Sequence, residues 1–249
     1  MVINLDSFII LVLPLIGTSI GSFLVLFLKN TINGRLNKCI IGFSIGVMLA
    51  SSIWSLLIPS IELSKKNNAP IIYPTVCGLV LGIFFLAIIE YITRKINNNS
   101  INKSILAISI HNFPEGMAVG TILMGALLSL DDITMISAFS LSLGIALQNI
   151  PEGAIVSIPL KLKGYSKKKS LFIGILSGVI EPIAGILSLL FFKSFSFLLP
   201  YVLSFASGAM FYVIIEDLIP ETKEGEASIF SLIGFTIGFS IMMVMDVVL

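Results

Sequence analysis

His111-Asn112-Phe113-Pro114-Glu115-Gly116 lies within an apolar stretch, and Gln148-Asn149-Ile150-Pro151-Glu152-Gly153 repeats its pattern 37 residues later, in the next one. The shared core is Asn-x-Pro-Glu-Gly. An ionised carboxylate among apolar residues is costly unless it is paired or bound to a cation. Positions i and i+4 share one face of a helix. His111 therefore lies one turn from Glu115, and Gln148 one turn from Glu152. Two facing helices can then aim an imidazole, an amide oxygen and two carboxylates at one point. Pro114 cannot donate to the carbonyl of Ile110, nor Pro151 to that of Leu147, which predicts a kink and a freed carbonyl in each helix. Gly116 and Gly153 permit close helix approach.

Around these motifs the chain is 56% hydrophobic and 12% charged over 249 residues, with a mean hydropathy of +1.06. A soluble exterior needs far more charge. The expected fold is an all-α integral membrane protein. About 20 apolar residues cross a bilayer as a helix, and the charge-poor runs place eight transmembrane helices near residues 8–28, 39–61, 71–92, 104–130, 133–160, 170–192, 196–219 and 228–248. They fill the chain as one transport domain, 1–249, and leave no room for a soluble one. No Lys or Arg precedes the first run, which is too long for a signal-peptide core and reads as a retained helix.

Twelve of the fifteen basic residues fall after the first, third, fifth and seventh spans, including Lys29, Arg35, Lys38, Arg94, Lys95, Lys103 and the group from Lys161 to Lys169. Lys65, Lys66 and Lys193 fall on the other side. The positive-inside rule makes the first side cytoplasmic and both termini external. Bases scattered over loops give no nucleic-acid surface. Cys39 and Cys77 lack a Cys-x-x-Cys partner and read as small packing residues.

No Lys or Arg lies within the spans, and the chain has one histidine. The buried carboxylates thus lack bases to pair with, and a divalent cation resolves the imbalance. Glu181, followed by Pro182, is a third intramembrane carboxylate aimed at the same site. Glu216 and Asp217, just before Pro220, sit either at the cytoplasmic mouth or at a solvated helix end. Glu90 reads as a snorkelled interfacial residue, and Asp131 and Asp132 as a loop. Met48, in a run of small residues, reads as filler, with a thioether contact to a soft ion as the alternative.

At these residues the sequence resembles the ZIP (Zrt/Irt-like) family of metal transporters, in particular its bacterial GufA-like branch. The resemblance rests on the paired motifs, on Glu181-Pro182, on Gly46–Pro59 and on Phe205–Glu221. It implies eight helices with both termini outside, in a 3+2+3 arrangement whose outer triplets are inverted repeats. It also implies a binuclear site. One ion takes His111, Glu115, Gln148 and Glu152; the second takes Asn112, Asn149, Glu181 and the shared Glu115 and Glu152. Met48 is implied near the first ion, and Glu216 or Asp217 in the exit path. Where helix 5 has Gln148, many family members have His, which leaves a harder, oxygen-rich site and widens the choice from zinc to cadmium, iron or manganese.

The expected activity is transport rather than catalysis, with two zinc or other divalent ions per chain as cargo and no catalytic cofactor. An intramembrane zinc hydrolase is the first alternative, but such a zinc takes His-rich ligands and an open water position. An ion-coupled carrier of an organic substrate is the second, and gives no reason for the duplicated motif. Richness in Ile, Asn and Lys points to an AT-rich genome and a bacterial plasma membrane. Gly42-x-x-x-Gly46 suits packing within a protomer or between two protomers of a homodimer equally.

Overall fold

The computed structural model describes residues 4–27, 34–66, 72–96, 100–129, 133–162, 164–192, 195–223 and 228–248. Among them there is no strand, and the helical segments join into eight rods. These are α1 (Leu5–Phe27), α2 (34–66), α3 (72–96), α4 (Ser100–Leu127), α5 (Met135–Leu162), α6 (167–192), α7 (196–223) and α8 (Ser228–Val248). Each expected span falls on one rod, with ends shifted by a few residues. Among the described residues seven rods, all except α4, are long and apolar enough to cross a membrane. Asp131, Asp132 and Lys193 lie outside the described residues.

Prolines decide where the rods depart from regular α-geometry. In α2 the segment Ser52–Leu57 is a π-helical turn, and in α7 Ile214–Leu218 is another. Pro59 and Pro220 follow, and neither can donate to the carbonyl four residues earlier. The widened turn instead closes bonds from Ile58 N–H to Ile53 O and from Ile219 N–H to Ile214 O. The hydroxyl of Ser207 in α7 donates to Ser52 O in α2 at 2.9 Å, tying one π turn to the partner helix. In α6 the α-helix stops at Gly178 and resumes at Ile180. Pro182 explains the break, because its ring opposes the carbonyl of Gly178.

Glycines set the closest seams. A Cβ at Gly17 or Gly21 of α1 would strike the backbone of α5, and one at Gly116 or Gly120 of α4 the backbone of α6. Gly42 and Gly46 of α2 meet Ser231, Phe235 and Phe239 of α8, while Gly82 of α3 and Gly208 of α7 face each other's helix. The Gly42-x-x-x-Gly46 pair is therefore used within the protomer. α1, α4, α5 and α6 form one glycine-sealed group, joined further by Gly178 against Thr18. In the other group α2 seals to α8 and α3 to α7; hydroxyls of α2 then bind α7, Ser60 donating to Pro200 O at 2.6 Å. The apolar core runs between α2, α4, α5 and α7 through Met48, Leu56, Leu123, Ile145 and Met210. Of its membrane-length window 76% is buried in α5, against 28% in α3 and 22% in α8. The motif-bearing α5 is central and α3 and α8 are peripheral.

Candidate metal centre

Neither motif proline interrupts its helix: α4 and α5 run on through Pro114 and Pro151. The motif glycines act as expected. Gly116 lies against the backbone of Glu181 in α6, and Gly153 against the carbonyl of Thr18 in α1. The first contact joins the carboxylate-bearing turns of α4 and α6, and the second seats that of α5 on α1, whose Thr18 also meets Gly178 of α6.

Asn112, Glu115, Gln148, Asn149 and Glu181 are each at most 1% exposed, and Glu152 is half-buried. The amide of Gln148 donates through Nε2 to Glu115 Oε1 at 2.6 Å. Asn112 Nδ2 donates to Glu181 Oε1 at 2.7 Å and lies 3.3 Å from Ser177 O. Thr18 Oγ1 donates to the same Glu181 oxygen at 3.2 Å. Asn149 Nδ2 points to Pro14 O at 3.4 Å. The Glu115 carboxylate feels the charge of both Glu152 and Glu181, and Glu181 that of Glu152.

Every amide nitrogen in this set faces a carboxylate or a carbonyl. What remains are buried oxygens without a partner: Asn112 Oδ1, Glu115 Oε2, Gln148 Oε1, Asn149 Oδ1 and Glu181 Oε2. Buried polar atoms are ordinarily hydrogen-bonded, and here five buried acceptors on three helices have no such partner. No three His, Cys, Asp or Glu side chains among the described residues close around one point by themselves. Three of the five unpartnered oxygens belong to amides. The backbone of His111 lies in α4, and its side chain lies outside the described residues.

Met48 is 1% exposed and belongs to the apolar core. Ser44, one turn before it on α2, donates to Gln148 O at 3.4 Å, so this face of α2 borders the motif of α5. The Met48 carbonyl accepts the hydroxyls of Ser51 and Ser52 at 3.1 and 2.7 Å. Glu216 and Asp217 fall on the π turn of α7, Glu216 exposed and Asp217 half-buried. They neighbour Tyr212, whose hydroxyl donates to Glu90 at 2.7 Å. Glu90 is thus buried at 6% exposure and bonded to α7, not snorkelled to an interface. Cys39 and Cys77 are free thiols, Cys77 exposed.

Sequence reasoning missed α1. Pro14 cannot donate to Ile10 O, which accepts Ser142 Oγ of α5 at 2.6 Å instead. Pro14 O and Thr18 Oγ1 then reach the cluster. The available signal was the run of small and polar residues Gly17-Thr18-Ser19 and Gly21-Ser22 in a mostly apolar helix.

Fold and site together define a helical, multi-pass membrane protein with a buried centre of carboxylates and amides. Residues 102–246 match the family described as ZIP Zinc transporter. The chain is 30% identical to Zinc transporter ZIP11 of Xenopus tropicalis, over 92% of this chain and 93% of that protein. It is 33% identical to Zinc transporter ZupT of Chlorobaculum parvum, over 88% of each chain. Against Zinc transporter GufA of Myxococcus xanthus it is 30% identical, over 83% of this chain and 84% of that one. The chain belongs to the ZIP family of metal transporters.

Proposed function

We propose that this protein carries a divalent metal ion, zinc in the first place, across the plasma membrane into the cytosol through a two-ion centre. The carrying observation is the set of five buried, unpartnered oxygens on α4, α5 and α6. A cation is what such a set lacks. One ion takes Glu115, Gln148 and Glu152 with His111; the other takes Asn112, Asn149 and Glu181 and shares Glu115 and Glu152. The names of the relatives support zinc, while the oxygen-rich donors keep manganese, iron and cadmium as cargo to be tested.

The eight rods form a single domain over 1–249 in a 3+2+3 arrangement. Support comes from the helix pairing, in which α1 packs most on α5, α4 on α6, α2 on α8 and α3 on α7. Exchanging α1 with α6, α2 with α7, α3 with α8 and α4 with α5 maps this set of pairs onto itself. Two of the three π turns among the described residues obey the same exchange, falling in α2 and α7 just before a proline; the third, Ile72–Cys77 at the start of α3, has no counterpart in α8. Termini outside follow from the loop charges, and two bases of the cytoplasmic set cap helix carbonyls. Lys38 donates to Glu221 O and Thr222 O at 3.0 and 2.9 Å, and Lys167 to Leu26 O at 2.7 Å. Cations at helix C-termini are favourable. Access alternates as the α1, α4, α5, α6 group moves against the other four helices, Met48 flanking the first ion and Glu216 or Asp217 receiving metal on the way out.

The test is zinc uptake into proteoliposomes containing a metal-sensitive dye. Glu115→Ala combined with Glu152→Ala should abolish it. Full uptake by that double variant would refute the site.

A further inference from the structure

Glu181 binds metal usefully only if one of its oxygens is kept free and aimed inward. A carboxylate in a tight space can turn about its last bond, which exchanges the two oxygens. In this protein Oε1 is held by two donors on different helices, Asn112 Nδ2 at 2.7 Å and Thr18 Oγ1 at 3.2 Å, and Oε2 has no partner. Asn112 is already expected to spend its own oxygen on the ion. Thr18 carries no such duty, and its oxygen lies farther, at 3.4 Å, from its other acceptor, Pro14 O.

Thr18 is itself fixed. It is 1% exposed. A Cβ at Gly178 of α6 would lie 2.8 to 2.9 Å from its Cβ, Oγ1 and Cγ2, and Gly153 of α5 meets its carbonyl. A side chain at Gly178 would collide with the threonine side chain, and one at Gly153 with its backbone. One turn earlier, Pro14 O receives the Asn149 amide at 3.4 Å, which leaves Asn149 Oδ1 free. α1 thus contributes no ligand, yet it touches two of the residues assigned to the second ion on the side away from it.

We propose that Thr18 is a positioning residue of the second ion's site: with Asn112 it holds Glu181 Oε1, so that Oε2 is presented to the divalent cation. The inference rests on the two-ion reading above. Partners of this kind, one step behind a metal ligand, are typically worth about 10- to 100-fold in metal affinity.

Thr18→Val keeps the shape and removes the hydroxyl, Thr18→Ser keeps the hydroxyl, and Glu181→Gln tests the ligand itself. Each purified protein is titrated with Zn2+ and with Cd2+ by calorimetry, and melting is followed with and without metal. Thr18→Val should weaken one of two binding events about 10- to 100-fold and shrink the metal-induced rise in melting temperature. Its metal-free melting temperature should stay near wild type, and Thr18→Ser should restore both binding events. A packing role alone would lower the metal-free melting temperature and leave the affinities intact; that outcome overturns the proposal. Wild-type titrations for Thr18→Val together with loss of one event for Glu181→Gln overturn it too, while the two-ion reading stands. Two intact events in Glu181→Gln would instead remove Glu181 as a ligand, and the proposal with it.

Discussion

Replacing Gly116 with alanine tests the seam that holds α4 against α6, without changing the identity of any proposed ligand. A Cβ at that position would lie 2.6 Å from Glu181 Cα and 2.7 Å from its carbonyl carbon, with the carbonyl oxygen closer still. Non-bonded carbons settle at about 3.5–4.0 Å, so the two helices must part by about 1 Å. Gly120, one turn on, makes the same kind of contact with Gly185, so the helix cannot simply pivot away. Elsewhere in a helix, glycine to alanine stabilises by about 0.5–1 kcal/mol. Overpacking costs about 1–3 kcal/mol, so the expected sign is reversed, with a net loss of up to about 2.5 kcal/mol. The effect on the site should exceed the effect on stability. Ligand distances must hold to about 0.2 Å, and a displacement of about 1 Å takes Glu181 out of reach. Bound metal per protein, counted by elemental analysis, should fall towards the Glu181→Gln level, and uptake with it. Gly34→Ala is the control, since its Cβ would meet nothing within 4 Å. A Gly116→Ala protein that melts higher than wild type and keeps its full metal complement would refute the reasoning.

Gln148→His replaces a hard oxygen donor with a borderline nitrogen beside Glu115, so competitive uptake should shift towards zinc and cadmium over manganese; an unchanged preference order would count against the oxygen-rich reading. Lys38→Met removes a charged donor from two carbonyls at the end of α7, with an expected loss of about 1.5–3 kcal/mol. Lys38→Arg should recover part of it, and equal melting temperatures in all three proteins would show that the clasp carries no stability.

Much of the buried polar cluster was legible in the sequence. Glu115, Glu152 and Glu181 stand out because a carboxylate in an apolar run needs a stated reason, and the duplicated Asn-x-Pro-Glu-Gly supplies one. The glycines of those motifs were correctly read as points of close approach, though not what they approach. One reading changed, and one feature was not foreseen. Pro114 and Pro151 lie within continuous helices, and the unforeseen interruption falls at Val179 of α6, where Pro182 opposes the carbonyl of Gly178. Glu90 is not a surface residue but a buried partner of Tyr212, because α7 covers that face of α3, and no local pattern says so.

Hydropathy, helical period and charge asymmetry are properties of neighbouring residues, so the sequence by itself determined the helices, their order and the chemistry of the buried groups. Which oxygen of each group is left free is another matter. Glu181 is held by Asn112, 69 residues away, and by Thr18, 163 residues away, and Gln148 reaches Glu115 across 33. Those pairings exist only once glycine seams have set the helices in register. The tertiary structure therefore decided what no span of sequence could: the amide donors are spent within the cluster, and five buried oxygens are left without a hydrogen-bond partner.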